Sequence, residues 1–119
     1  MIEFDHTVNN NLVNEYITDD CSQTLTILPN EELKIVVTVP HSILEWYVDV
    51  FDRNGTKVYS NWRDHFGDVE AELRSQMKES IEGFILAVTR HPLRVREGSR
   101  PGQSVLQIYR NDEWTDVNY

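Results

Sequence analysis

The sequence predicts an α+β domain: a mainly antiparallel β-sheet of about five or six strands, with one long α-helix at about residues 68–90 packed on one face. Three observations lead there. Strand-like runs cluster before residue 64, a single apolar stripe at helical spacing follows them, and another strand-like run returns after residue 104. Strands and helices do not alternate, so a doubly wound parallel sheet is not expected.

The strongest local signal is Ile43 to Trp62, two runs rich in aromatic and β-branched residues joined by Asn54-Gly55. An Asn-Gly pair suits the positive φ angles of a type I′ turn. A two-residue loop sets Arg53 opposite Thr56, Asp52 opposite Lys57, Phe51 opposite Val58, Val50 opposite Tyr59 and Tyr47 opposite Trp62. Opposite charges then meet, and apolar side chains meet.

Upstream, Ser22–Leu28 and Leu33–Val39 alternate, with Leu25 and Ile27 on one face of the first run and Leu33, Ile35, Val37 and Val39 on one face of the second. Pro29-Asn30-Glu31 supplies a turn, and Pro40, with no amide hydrogen to donate, ends the second run. Residues 1–21 are polar and weakly periodic, broken by Asn9-Asn10-Asn11 and Asp19-Asp20. Their apolar residues, Val8 and Leu12 among them, predict an edge strand or short helix in a loosely attached N-terminal segment.

The helix is drawn by Val69, Leu73, Met77, Ile81, Phe84, Ile85 and Val88, with Asp68 as its cap and Glu70 and Glu72 in the first turns, where the helix dipole favours negative charge. Glu70 to Arg74 and Lys78 to Glu82 have the i,i+4 spacing of ion pairs. Residues 91–102, with two prolines and two glycines, read as a long basic surface loop. Val105–Tyr109 form a last clear strand, and Asn111-Asp112 can turn it back into a short run around Trp114–Val117.

The 119 residues fit a single domain, 1–119, of ordinary globular composition, 39% hydrophobic and 26% charged. No run of about 18 apolar residues spans a membrane, and the first residues lack the pattern of a signal peptide. A lone Cys21 cannot close an internal disulfide, which points to a reducing, cytoplasmic setting. The net charge of −9 argues against nucleic acid as a direct ligand, since phosphate binding relies on Lys and Arg. That charge is unevenly spread. Residues 1–89 carry a balance of −10, whereas residues 90–110 carry +4 through Arg90, Arg94, Arg96, Arg100 and Arg110 against Glu97.

Catalytic and cofactor motifs are lacking: there is no glycine-rich phosphate loop, no CxxC or HExxH and no GxSxG. A thiol nucleophile needs a base or a positive neighbourhood, and Asp19 and Asp20 provide neither, so Cys21 reads as buried or incidental. His6, His41, His65 and His91 stand singly. Around His65 the carboxylates Asp64, Asp68, Glu70 and Glu72 lack a second imidazole, so no metal site is expected; Asp64 and Asp68 read as turn and cap residues, with His65 facing solvent.

If Trp46, Val48 and Val50 face the helix, then Ile43, Glu45, Tyr47, Asp49 and Phe51 share the other face with Val58, Ser60 and Trp62, an aromatic and acidic mixture. Tyr and Trp supply large contact areas with a polar handle and are enriched in binding surfaces. The competing reading has the N-terminal segment or a second layer of strands covering this face. The function expected from size, charge and composition is a small, acidic, cytoplasmic, non-catalytic binding protein without cofactor or metal. Of inhibitor or immunity type, it docks a basic partner protein, or a second copy in a homodimer, through Glu45, Tyr47, Asp49, Trp62, Asp68, Glu70 and Glu72. The alternative is a small anion-binding protein or small enzyme, with Arg94, Arg96 and Arg100 as a clamp and His91 or His65 as acid or base.

Overall fold

The computed structural model describes residues 2–4 and 12–117; Val8, His6 and the Asn9-Asn10-Asn11 run lie outside the described residues. Among the described residues eight strands and one helix follow in the order β1 (Glu15–Thr18), β2 (Ser22–Ile27), β3 (Leu33–Pro40), β4 (Glu45–Asp52), β5 (Lys57–Asp64), α1 (Glu70–Arg90), β6 (Leu93–Glu97), β7 (Ser104–Arg110) and β8 (Glu113–Asp116). They form two antiparallel sheets, β1-β2-β3-β4-β5 and β6-β7-β8, so the architecture is α+β with the strands divided between two sheets.

Strict alternation decides which face of the larger sheet is buried. Leu25, Ile27, Ile35, Val37, Val39, Trp46, Val48 and Val50 all point inward and are at most 2% exposed. Helix α1 lies on this face and buries Leu73, Met77, Ile81, Phe84, Ile85 and Val88. Trp46 meets Phe84 edge to face at 5.9 Å between ring centroids. Burying six such side chains contributes about 1.5–3 kcal/mol each, far more than intrinsic helix propensity supplies.

Two further pieces extend the same core. Ile2, Phe4, Leu12 and Val13 pack on it beside β2, and Leu106, Leu93, Val95 and Val117 close it from the three-stranded sheet. Gln23 is the one buried polar side chain among the described residues. It sits at an inward position of β2 at 0% exposure. Its amide copies a neighbouring strand: Oε1 accepts from Ile2 N–H at 3.0 Å, while Nε2 donates to Ile2 C=O at 2.6 Å and to the Tyr16 hydroxyl at 2.7 Å. Ile2, Phe4, Leu12 and Val13 of the N-terminal segment therefore pack on the inward face, and β1 is the edge strand that sequence reading allowed for.

Local structure departs from expectation at four places. The β4–β5 loop has three residues, because Asp52 N–H bonds Thr56 C=O at 2.9 Å and Gly55 N–H bonds Asp52 C=O at 3.0 Å. Gly55 alone takes positive φ there, +82°, and the Asp52 carboxylate caps the turn by accepting from Asn54 and Thr56 N–H. The extra loop residue sets Phe51 opposite Lys57, displacing the expected Phe51–Val58 pair. A bulge at Val58 then absorbs the shift, so that Val50–Tyr59 and Tyr47–Trp62 pair as expected. Positive φ at both central residues occurs instead at Asn111 and Asp112, the two-residue turn joining β7 to β8.

At the helix start, Val69 occupies the N-cap position without a side-chain cap bond. Asp68 stands one residue too early, so the expected cap is not made, and Val69 is 49% exposed rather than part of the buried stripe. The expected loop at 91–102 contains a strand: Leu93–Glu97 pairs with β7, leaving 98–103 as the connection between them. Cys21 is exposed, not buried, at the β1–β2 turn, where Asp19 Oδ1 accepts from Cys21 and Ser22 N–H. Those two bonds hold the Asp19 carboxyl below its ordinary value.

Candidate functional site

Side chains opposite the core face of the larger sheet form rows that run across its strands. One row is Ile17, Thr24, Thr38, Tyr47 and Trp62; the next is Glu15, Thr26, Val36, Asp49 and Ser60. The central side chains of this surface are half-buried, and Ile17 and Trp62 at its two margins are 51% and 55% exposed. Of the competing cover, Ile2, Phe4, Leu12 and Val13 of the N-terminal segment and Leu93, Val95 and Leu106 of the three-stranded sheet pack against the inward face instead.

Glu45, Tyr47, Asp49 and Trp62, four of the seven proposed partner-binding residues, share this surface on adjacent strands. Tyr47 and Trp62 sit directly opposite each other. Beyond them Glu45 faces Asp64, a residue that sequence reading took only as a turn former. Like charges directly opposite are destabilising, so this pair stands out as unbalanced negative charge at one end of the sheet. The Tyr47 hydroxyl donates to Glu45 Oε2 at 2.5 Å. That bond to a carboxylate raises the Tyr47 pKa, with desolvation adding to it.

Asp49 is better balanced: it accepts from Ser60 Oγ at 2.8 Å and meets Lys57 Nζ at 3.4 Å. Lys34 stacks over Phe51 at 5.1 Å, so the opposite end of the surface is basic and aromatic. The surface thus runs from acidic, through the half-buried Tyr47 and the exposed Trp62, to basic.

Asp68, Glu70 and Glu72 do not join it. They lie where the chain turns from β5 to the helix on the inward face, and Glu70 holds Arg74 at 2.9 Å. His65 does not face solvent freely. Its Nε2 accepts from the indole N–H of the fully buried Trp46 at 3.3 Å, which requires neutral imidazole. Desolvation, and then Arg63, lowers the His65 pKa from 6.5, with Asp64 acting the other way.

The basic residues are sorted differently. Arg94 and Arg96 share the outward face of β6, while Arg100 stands apart in the 98–103 connection. Arg94 Nε donates to Gln107 Oε1 at 2.9 Å, Gln107 Nε2 donates to Asp116 Oδ1 at 2.8 Å, and the Arg94 guanidinium lies 4.2 Å from the Trp114 ring centroid. Tyr109 meets the same indole edge to face at 5.3 Å. Of the three arginines expected to form a clamp, Arg94 and Arg96 share one strand face.

Among the described residues no group of three or more His, Cys, Asp or Glu side chains is arranged to hold a metal ion, and no helix is long and apolar enough to cross a membrane. Comparison with protein-family models, with curated proteins and with solved structures finds no match to this chain.

Proposed function

We propose that this protein is a small, cytoplasmic, non-catalytic binding protein whose exposed sheet surface docks a basic partner protein, in the manner of an inhibitor or immunity protein. The observation that carries the reading is Trp62: more than half exposed, paired with Tyr47, and flanked by the unbalanced carboxylates Glu45 and Asp64. An aromatic pair on a rigid sheet is a low-entropy anchor, and an indole face beside carboxylates suits an arginine or lysine through cation–π and ionic contact together. The net charge of −9 steers such a partner over distance.

The test uses the wild-type chain, Trp62→Ala, and the pair Glu45→Lys with Asp64→Lys as baits in lysate of the native organism, at about 50 mM and about 500 mM salt. The expected result is a basic protein retained by wild type at low salt and lost from both variants, whose circular dichroism stays native. Trp62→Ala should weaken binding by about 2 kcal/mol or more. It should lower fold stability by less than about 1 kcal/mol, since it removes one cross-strand pair at an edge. Equal retention by all three baits refutes this placement of the interface.

A further inference from the structure

The outward surface of the larger sheet does not end at Glu45 and Asp64. His65 N–H donates to Leu44 C=O at 2.9 Å, one step past that acidic pair, so the β4–β5 register carries on beyond both strands. The next pair in the same register is Ile43 and Phe66. Residues 44 and 65 form a hydrogen-bonded pair, which makes 43–66, 45–64 and 47–62 non-hydrogen-bonded pairs, where side chains approach most closely. Alternation agrees. Leu44 packs on the core and the His65 ring meets Trp46 there, which leaves Ile43 and Phe66 to the outward side. Ile43 is 41% exposed and Phe66 84%, the highest value of any large apolar side chain among the described residues.

Three pairs therefore succeed one another along the sheet: Tyr47–Trp62, Glu45–Asp64 and Ile43–Phe66. Each step is about 6.6 Å, and the whole ladder spans about 13 Å. Its chemistry is aromatic, then anionic, then apolar. The two carboxylates in the middle stand on directly opposed residues and repel each other. An arginine, with five donors in a planar fork, can bond both at once and remove that repulsion, whereas a lysine ammonium is a single point charge.

Backbone chemistry selects the form of the occupant. An extended segment laid on a sheet face has no ladder to join, so its buried N–H and C=O groups go unpaired. A helix satisfies its backbone internally. Its residues at i, i+4 and i+8 rise by about 6 Å and about 12 Å, close to the spacing of the three pairs. The inward face of the same sheet already takes a helix, α1.

Resting on the sheet interface proposed above, we infer that the basic partner presents an α-helix to it, with an arginine at i+4 between apolar residues at i and i+8. The arginine meets Glu45 and Asp64, and the apolar residues seat on Tyr47–Trp62 at one end and Ile43–Phe66 at the other. A lipid surface fits this ladder less well, because the acidic pair at its centre and a net charge of −9 repel anionic headgroups.

The test is amide NMR of the full chain titrated, at about 50 mM salt, with an alanine-based helical peptide of about 17 residues carrying Leu, Arg and Leu at i, i+4 and i+8. Comparison peptides carry Glu in place of the Arg, or a Pro beside it that breaks the helix. A Phe66→Ser chain accompanies wild type, and so exposed a ring leaves the fold intact on removal. Saturable shifts at the amides of Ile43, Glu45, Tyr47, Trp62, Asp64 and Phe66 support the assignment when affinity is about tenfold lower in Phe66→Ser and for both comparison peptides. Shifts elsewhere, no shifts, or equal affinity in any one comparison overturn it. Concentration-dependent shifts of the same amides without peptide give the surface to a second copy, and binding to phosphatidylcholine vesicles that Phe66→Ser abolishes gives it to a membrane; either overturns the assignment. In the lysate capture, a Phe66→Ser bait that keeps the basic protein lost by Trp62→Ala defeats this extension and leaves the sheet interface standing. Equal retention by Trp62→Ala and the Glu45→Lys, Asp64→Lys pair defeats the interface itself.

Discussion

Replacing Gln23 by leucine will destabilise the protein by far more than a single hydrogen bond is normally worth. The side chain is fully buried, and its amide satisfies both the N–H and the C=O of Ile2, a residue itself only 6% exposed. Leucine fills much the same volume, so the packing loss is small. The two peptide groups of Ile2 lose their partner in a site shielded from water. Leaving a buried polar group unmade costs about 1–3 kcal/mol, so the two together give about 2–6 kcal/mol. The Tyr16 hydroxyl adds little, because that residue is 41% exposed and turns to water. At about 4 °C per kcal/mol for a domain of this size, Tm falls by about 8–24 °C. The assay is urea denaturation followed by tryptophan fluorescence, in the full chain and in a chain lacking residues 1–4. In the shortened chain Gln23 has lost Ile2, so the same leucine substitution will be neutral or stabilising. A loss below about 1 kcal/mol in the full chain, or an equal loss in both chains, refutes the idea that Gln23 acts by holding the N-terminal segment.

Stability will also depend on pH through His65. Its folded-state pKa lies below 6.5, so the stability contributed by the neutral imidazole is complete above pH 6.5 and is lost as pH falls below that value. Denaturation midpoints between about pH 7.5 and pH 5 will drop more steeply for wild type than for His65→Asn, and equal slopes would discount the Trp46 bond. Gly83→Ala will stabilise the chain by about 1 kcal/mol, because a Cβ there meets nothing within 4 Å and the helix is relieved of a flexible residue. Val69→Asp will add a similar amount, about 1 kcal/mol, by placing an acceptor at the vacant cap position; thermal melts measure both. Gly55→Ala will lower Tm, since φ of +82° strains any L side chain even where space is open.

Much of the α+β character was legible because periodicity is a physical requirement of burial. The stripe from Leu73 to Val88 predicted the buried helix face residue by residue, and Trp46, Val48 and Val50 do face it. The hairpin register was right at Tyr47–Trp62 for an incomplete reason: a longer loop and a bulge at Val58 offset each other. No local rule sees such compensation, because each irregularity is tolerated only in the presence of the other. Strand β6 had a visible signal, the alternation Leu93-Arg94-Val95-Arg96, which the neighbouring Pro92 and Gly98 outweighed. Glu45 opposite Asp64 follows from extending the correct part of the register by two residues. Gln23 was out of reach, since a polar residue at an inward position makes sense only once Ile2 is known to lie beside it, 21 residues away.

The order β1-β2-β3-β4-β5 follows the chain itself, each strand pairing with the one made just before it. Short turns make such closures entropically cheap, so the sheet can assemble strand by strand as it leaves the ribosome. Helix α1 comes later. Between Val39 and Val88 the ribosome adds about 50 residues, which at roughly 5–20 residues per second takes about 3–10 s. Throughout that interval Leu25, Ile27, Ile35 and Val37 lack their helical cover, and the nascent sheet shows chaperones much of the face that the finished protein hides.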